Sequence, residues 1–221
     1  MHTILKFAAA SLIALTSLAQ AASISYTSNT APLDYTDWDY SLSLQKFNTS
    51  LGSLNSITIT LYGETDGNIR LESTDAAPSA LSASLSSMLT LTRPDLTTLV
   101  VTTPLTPVSF NASAYDGTLD WAGTSGQTWL NLTANAKNFV NTSSAADKAL
   151  FSGPGFVLTP LHAAGLSAAS GSGNFAFDND TQATAFATIT YNYAPVPEPA
   201  SWALMVGGLA LLARRAVQKQ G

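Results

Sequence analysis

The constraint that most narrows the fold is an alternation of apolar and hydroxyl residues with period two. Ser56-Ile57-Thr58-Ile59-Thr60-Leu61-Tyr62 alternates strictly, Tyr40-Ser41-Leu42-Ser43-Leu44 repeats the pattern, and Gln182 to Tyr193 carries it further, with Ala185, Ala187, Ile189, Tyr191 and Tyr193 on one side. Successive side chains of a strand point to opposite faces, so each segment puts one face on a core and the other in water. Further strands are expected at Ile24–Thr27, Asn68–Glu72, Thr97–Thr102, Val108–Ala112, Thr128–Thr133, Phe156–Leu158 and Gly173–Phe177, and Ser79–Thr92 reads as strand over helix. Turn chemistry separates them at Thr65-Asp66-Gly67-Asn68, Tyr115-Asp116-Gly117, Ser152-Gly153-Pro154-Gly155 and Gly171-Ser172-Gly173. Many short strands with no strong internal helix predict an all-β antiparallel sandwich, jelly-roll-like, between residues 22 and 194.

Charge removes some functions. All 14 acidic residues lie between Asp34 and Glu198, against Lys46, Arg70, Arg93, Lys137 and Lys148. A body this acidic lacks the clustered cations that neutralise phosphates, so nucleic acid is not an expected partner. Without cysteine there is no disulfide framework, thiolate metal site or thiol nucleophile. Only 10% of residues are charged, and the surface must be covered largely by Ser and Thr, as in secreted β-rich proteins.

The remaining basic residues, Lys6, Arg214, Arg215 and Lys219, sit in the two ends. Residues 1–21 have a basic start, an apolar run from Phe7 to Leu18 and the triplet Ala19-Gln20-Ala21, the three parts of a signal peptide cleaved after Ala21 by signal peptidase in the general secretion pathway. Residues 195–221 form the second end. Two prolines break the chain, a 14-residue uncharged run from Ala200 to Ala213 falls short of the ~20 residues that span a bilayer, and Arg214-Arg215 supply a positive flank. A short hydrophobic helix is expected there.

Val196-Pro197-Glu198-Pro199, then Trp202-Ala203-Leu204, an apolar run with Val206, Gly207-Gly208, Leu209, Leu211 and Leu212, and the terminal Arg214-Arg215 together resemble the PEP-CTERM sorting signal of Gram-negative bacteria. The resemblance implies recognition and processing by an exosortase, an integral membrane transpeptidase-like protease. It also implies transient residence in the inner membrane as a transmembrane precursor, then export to the outer envelope or extracellular matrix of cells that make exopolysaccharide and biofilm. The body, with Phe47-Asn48 before Ser50-Leu51-Gly52-Ser53-Leu54 and a closing strand Ala187–Tyr193, resembles the choice-of-anchor E domain. Leu51-Gly52-Ser53-Leu54 itself reads as a turn closing a hairpin over Phe47 and Leu54.

Sites of chemistry are sparse. His162 stands alone, and neither a triad nor a metal cluster forms around one imidazole. Asp34, Asp37 and Asp39, interleaved with Tyr35, Trp38 and Tyr40, are the carboxylates a glycosidase would need to hold across a sugar. Asp178-Asn179-Asp180, on a turn before the last strand, offer hard oxygens for calcium, and an Asx turn is the competing use. Trp38, Trp121 and Trp129 are candidate sugar-stacking faces or core residues. The expectation is an exported, non-catalytic structural or adhesive protein without a resident cofactor, calcium aside. A carbohydrate- or calcium-binding module is the alternative.

Overall fold

A computed structural model describes residues 21–196 and 199–218. Eleven strands and two helices are named here in chain order: β1 (Ala22–Thr27), β2 (Asp34–Tyr35), β3 (Trp38–Gln45), β4 (Gly52–Ser73), β5 (Ser79–Thr92), β6 (Thr98–Thr102), β7 (Leu105–Ala112), β8 (Gly126–Thr142), α1 (Ala145–Leu150), β9 (Phe156–Gly165), β10 (Ala168–Gly171), β11 (Phe175–Pro195) and α2 (Pro199–Gln218). They form an all-β sandwich whose strand pairs are antiparallel. One sheet runs β1-β11-β4-β8, with β2 also on β11. The other runs β10-β5-β9-β3, with β6 and β7 on the opposite side of β5.

Two strands dominate. β4 has 22 residues and β11 has 21, whereas most strands have 3–10. They pair from Ser73↔Phe175 to Gly52↔Pro195, with one irregularity at Asn192/Tyr193. Along both, odd-numbered residues face inward: Ile57, Ile59, Leu61, Ile69 and Leu71 from β4, and Ala183, Ala185, Ala187, Ile189 and Tyr191 from β11, all buried.

This length corrects two expectations. Thr65-Asp66-Gly67-Asn68 is not a turn but the middle of β4, and Asp178-Asn179-Asp180 lies inside β11, not before it. Polar residues suit a half-exposed strand as well as a loop when they fall on its outer positions. Gly67 removes the steric obstacle, since a Cβ there would stand 1.9 Å from the Asp180 carbonyl oxygen, and β4 bulges against β8 just beyond it. The segment Leu51–Leu54 also does not close a hairpin. A 3-10 turn at Thr49–Leu51, capped by the Asn48 side chain, carries the chain from β3 in one sheet to β4 in the other, with Phe47 buried as expected and Leu54 partly so.

The core has two parts under the one long strand pair. The larger gathers Leu42, Leu44, Phe47, Ile57, Ile59, Leu61, Leu89, Leu161 and Tyr191 with their neighbours; the smaller gathers Ile69, Leu71, Leu81, Ala83, Leu85 and Ala112. Each strand that serves both changes over at a buried hydroxyl. β4 does so at Thr65, β5 at Ser86-Ser87 and β11 at Thr181. These hydroxyls satisfy one another: Thr65 pairs with Ser87, Ser167 with Thr181 at 2.8 Å, and Ser86 Oγ donates to the Pro104 carbonyl at 2.8 Å. Buried polar groups bonded in this way escape the desolvation cost that would otherwise forbid the position.

Close approach of the sheets depends on Gly63. A Cβ there would come within 2.3 Å of Leu89 Cδ1 and 2.9 Å of Thr102 Cγ2. Tyr191 bridges the sheets at the other end, its hydroxyl donating to the Gln45 carbonyl at 2.6 Å, and burial pushes its pKa well up. The free edge of β3 is closed by Asn29, whose side chain donates to Ser41 O at 3.2 Å and accepts from Ser43 N at 2.7 Å.

Asp147, at the first turn of α1, ties that corner together. Burial works to raise its pKa, but hydrogen bonds from the Ser144 and Thr142 hydroxyls and the charge of Arg93 outweigh it and hold it below the usual carboxylate range. The Arg93 contact is an ion pair more than an aligned hydrogen bond, because Arg93 Nε and Asp147 Oδ1 keep no hydrogen-bond partner.

Two outcomes follow. Gly63→Val should cost about 1–3 kcal/mol by overpacking between β4 and β5, visible as a lower urea midpoint at unchanged slope. Asp147 has a depressed folded pKa, so its contribution is complete above the unfolded value near pH ~4 and lost as pH falls through the folded one. In Asp147→Asn the acid limb of the stability–pH curve, measured by urea unfolding, should be correspondingly shallower.

Candidate functional site

The outer face of the β1-β11-β4-β8 sheet is built from the even-numbered positions of β4 and β11. It presents hydroxyls in register, Thr58 opposite Thr190 and Thr60 opposite Thr188, continued on β1 by Ser25 and Thr27. One row breaks the pattern: Lys137 of β8, Tyr62 of β4 and Phe186 of β11 stand side by side. The Tyr62 and Phe186 rings stack with centroids 4.8 Å apart and planes within 7°, and Lys137 Nζ lies 5.9 Å from the Tyr62 centroid. The ring spacing equals the strand spacing, so the rings stand upright with their faces against each other. A mainly apolar depression of ≈ 560 Å³ opens here, lined by the two rings with Gly63, Ala136 and Ala185, and by Thr30, Glu64, Asn135, Lys137 and Thr184. Its polar groups can hydrogen-bond a ligand such as a sugar, while the rings offer it edges in place of the broad stacking faces.

Three tryptophans were the sequence's candidates for stacking, and none forms an open platform. Trp38 packs on the larger core with its indole N–H on the Asp34 carbonyl at 3.3 Å, and Trp129 packs on the smaller core, edge-on to Phe110. Trp121 is half-buried in the loop between β7 and β8. Tyr62 and Phe186, which sequence reasoning missed, are 124 positions apart, and only the β4–β11 register brings them together.

Asp178 and Asp180 lie on the outer face of β11, whereas Asn179 points to the other side. Asp178 forms an ion pair with Arg70, Asp180 accepts from the Asn68 backbone N–H at 2.9 Å and from its side-chain amide, and Asn179 donates to Thr181 Oγ1 at 2.8 Å. The three do not converge on a shared point. Among the described residues no three His, Asp or Glu side chains group to hold a metal.

Asp34, Asp37 and Asp39 likewise go separate ways. Asp34 accepts from the Tyr35 N–H at 2.8 Å, Asp37 from the Gly165 N–H at 2.8 Å, and Asp39 pairs with His162 Nδ1 at 2.9 Å. His162 is on β9, and its carboxylate partner Asp39 is more than four-fifths exposed. No pair of these carboxylates faces another across a cleft.

At the C-terminal end Val196 is exposed and its N–H donates to the Leu51 carbonyl at 3.1 Å. α2 begins at Pro199, a residue preorganised for a first helical turn. Val206, Leu209, Leu211, Leu212 and Val217 are exposed along it, Arg215 sits in its last turn, and nothing lies within 4 Å of where a Cβ on Gly207 or Gly208 would be. No helix among the described residues is long and apolar enough to cross a membrane. Ala19, Pro197 and Glu198 lie outside the described residues, as do the side chains of Trp202, Leu204 and Arg214, while Ala21 is exposed just before β1.

No protein-family model matches the chain, and no curated protein does. Among solved structures, one of the infectious bursal disease virus Gx strain aligns with 79% of this chain and 37% of its own at 10% identity and a TM-score of 0.18. A subviral particle of infectious bursal disease virus aligns with 79% and 38% at 11% identity and the same TM-score. The chain thus spans less than half the length of those viral chains, and at such scores the likeness carries no argument.

Proposed function

We infer that this protein is an exported, non-catalytic β-sandwich that an exosortase handles by its tail and that serves a structural or adhesive role in the outer envelope or extracellular matrix. The observation that carries the proposal is α2: a helix with five large apolar side chains exposed, immediately after the last strand of a closed body. In water such exposed apolar surface is costly, at roughly 25 cal/mol per Å², and a membrane-embedded protease is an occupant that would cover it. The run is too short for a comfortable span, which suits a handle held transiently with Arg214-Arg215 at the cytoplasmic surface.

The sandwich supplies what a matrix component needs, a surface of hydroxyls with few charges. Its carboxylates are dispersed, and that dispersal supports a role without hydrolysis. Replacing Pro197-Glu198-Pro199 with alanines should leave a full-length precursor in the inner-membrane fraction, read by immunoblot of fractionated cells; normal processing of that variant would remove the exosortase from the account.

A second role, binding exopolysaccharide, is favoured by the depression beside Tyr62 and Phe186. Weak binding of soluble polysaccharide fragments is expected by calorimetry, and Asn135→Ala with Lys137→Ala should reduce it at least tenfold while leaving the melting temperature within about 2 °C, as surface substitutions do. A panel of fragments that gives no heat would eliminate this second role.

A further inference from the structure

Glu72 is fully buried, and neither of its carboxylate oxygens has a hydrogen-bond partner. Among the described residues it is the one carboxylate with both oxygens buried and unpartnered, and a carboxylate removed from water needs a proton, a cationic partner or a metal ion. Its position on β4 belongs to the outer face, the same side as Arg70, where burial would not be expected. The cover is the segment 113–125 between β7 and β8, fastened down by Ser73 N to Ser125 O at 2.8 Å, Thr128 Oγ1 to Trp121 O at 3.0 Å and Tyr115 N to Asp75 O at 2.8 Å.

No basic residue occurs in that cover, which contributes Asp116 and Asp120 instead. Arg70, two positions along the strand, is engaged by Asp178. The carboxylate points at the backbone of the cover. The place a Cβ on Gly126 would occupy is 2.1 Å from Glu72 Oε2, 2.5 Å from Ala122 N and 2.7 Å from the Trp121 carbonyl carbon. Gly126 therefore leaves the space into which the acid group projects, and any larger residue there would displace it.

We propose that Glu72, roofed by the backbone of Trp121 and Ala122, is a binding site for a calcium ion that fastens the β7–β8 segment to the sandwich. Calcium takes six to eight oxygens in flexible geometry, so the Glu72 carboxylate would supply two of them and water with oxygens of the covering segment would complete the shell. Magnesium fits less well, since it needs a near-ideal octahedron and gives up water reluctantly. This site is separate from Asp178-Asn179-Asp180, which do not converge, and it does not depend on the tail.

Trp121 makes the site observable, because terbium substitutes for calcium and is sensitised by a nearby indole. In the full chain stripped with EDTA, added terbium should give emission on tryptophan excitation that calcium displaces, and calcium should raise the melting temperature by several degrees. Glu72→Gln, which keeps the shape and removes the charge, should lose both responses while melting no lower than the wild type in EDTA. Trp121→Phe should lose most of the emission and keep the calcium-dependent melting shift, a check that stands even if Glu72→Gln folds poorly. Absence of emission and of any calcium-dependent shift in the wild type would overturn the proposal, as would an undiminished response in Glu72→Gln or an equal shift with magnesium.

Discussion

Everything else in the structure hangs on the pairing of β4 with β11. At about 3.3 Å per residue these strands run for some 70 Å, far beyond what one compact core can cover, so the sandwich must place two cores beneath them. The pairing joins residues more than a hundred positions apart. A long loop must close before this ladder can form. Because side-chain direction has period two, a slip of one residue would turn Ile57, Ile59 and Leu61 to the solvent and Thr58 and Thr60 to the core. The register is therefore held by the same alternation that made the strands visible in the sequence.

Between the cores the structure uses hydroxyls and glycines in place of bulk. Thr65, Ser87, Thr181 and Ser167 are bonded to one another or to backbone, and Gly63 and Gly67 let backbone and side chains of the facing elements approach. This belt explains which parts of the fold were legible. The alternating segments Ser56–Tyr62 and Gln182–Tyr193 declared themselves, and so did the outer turns at Tyr115–Gly117 and Gly171–Gly173. Thr65–Asn68 and Asp178–Asp180 carry the same residue types as a loop, and only a partner strand with a bulge opposite converts them into strand. Local composition does not contain that partner.

Sites were less legible than strands for a related reason. Asp, Trp and His draw attention one at a time, yet each of Asp34, Asp37, Asp39, Asp178 and Asp180 finds a separate neighbour. The features with unspent chemistry, the Tyr62–Phe186 row and the orphan carboxylate of Glu72, arise from cross-strand register and from a loop folding over a face. The tail is the opposite case. Its residues are contiguous, so the order of proline break, apolar run and arginines could be read directly.

The division of labour we propose is thus between a β-sandwich body and an exposed apolar helix whose occupant comes from outside the chain. Intact mass of the protein recovered from cells with and without an exosortase tests that division most directly. The account predicts that the mass of residues 195–221, or nearly all of it, is lost only when the exosortase is present, with the product found beyond the inner membrane. An identical C-terminus in both cells would contradict it and leave α2 as a simple anchor.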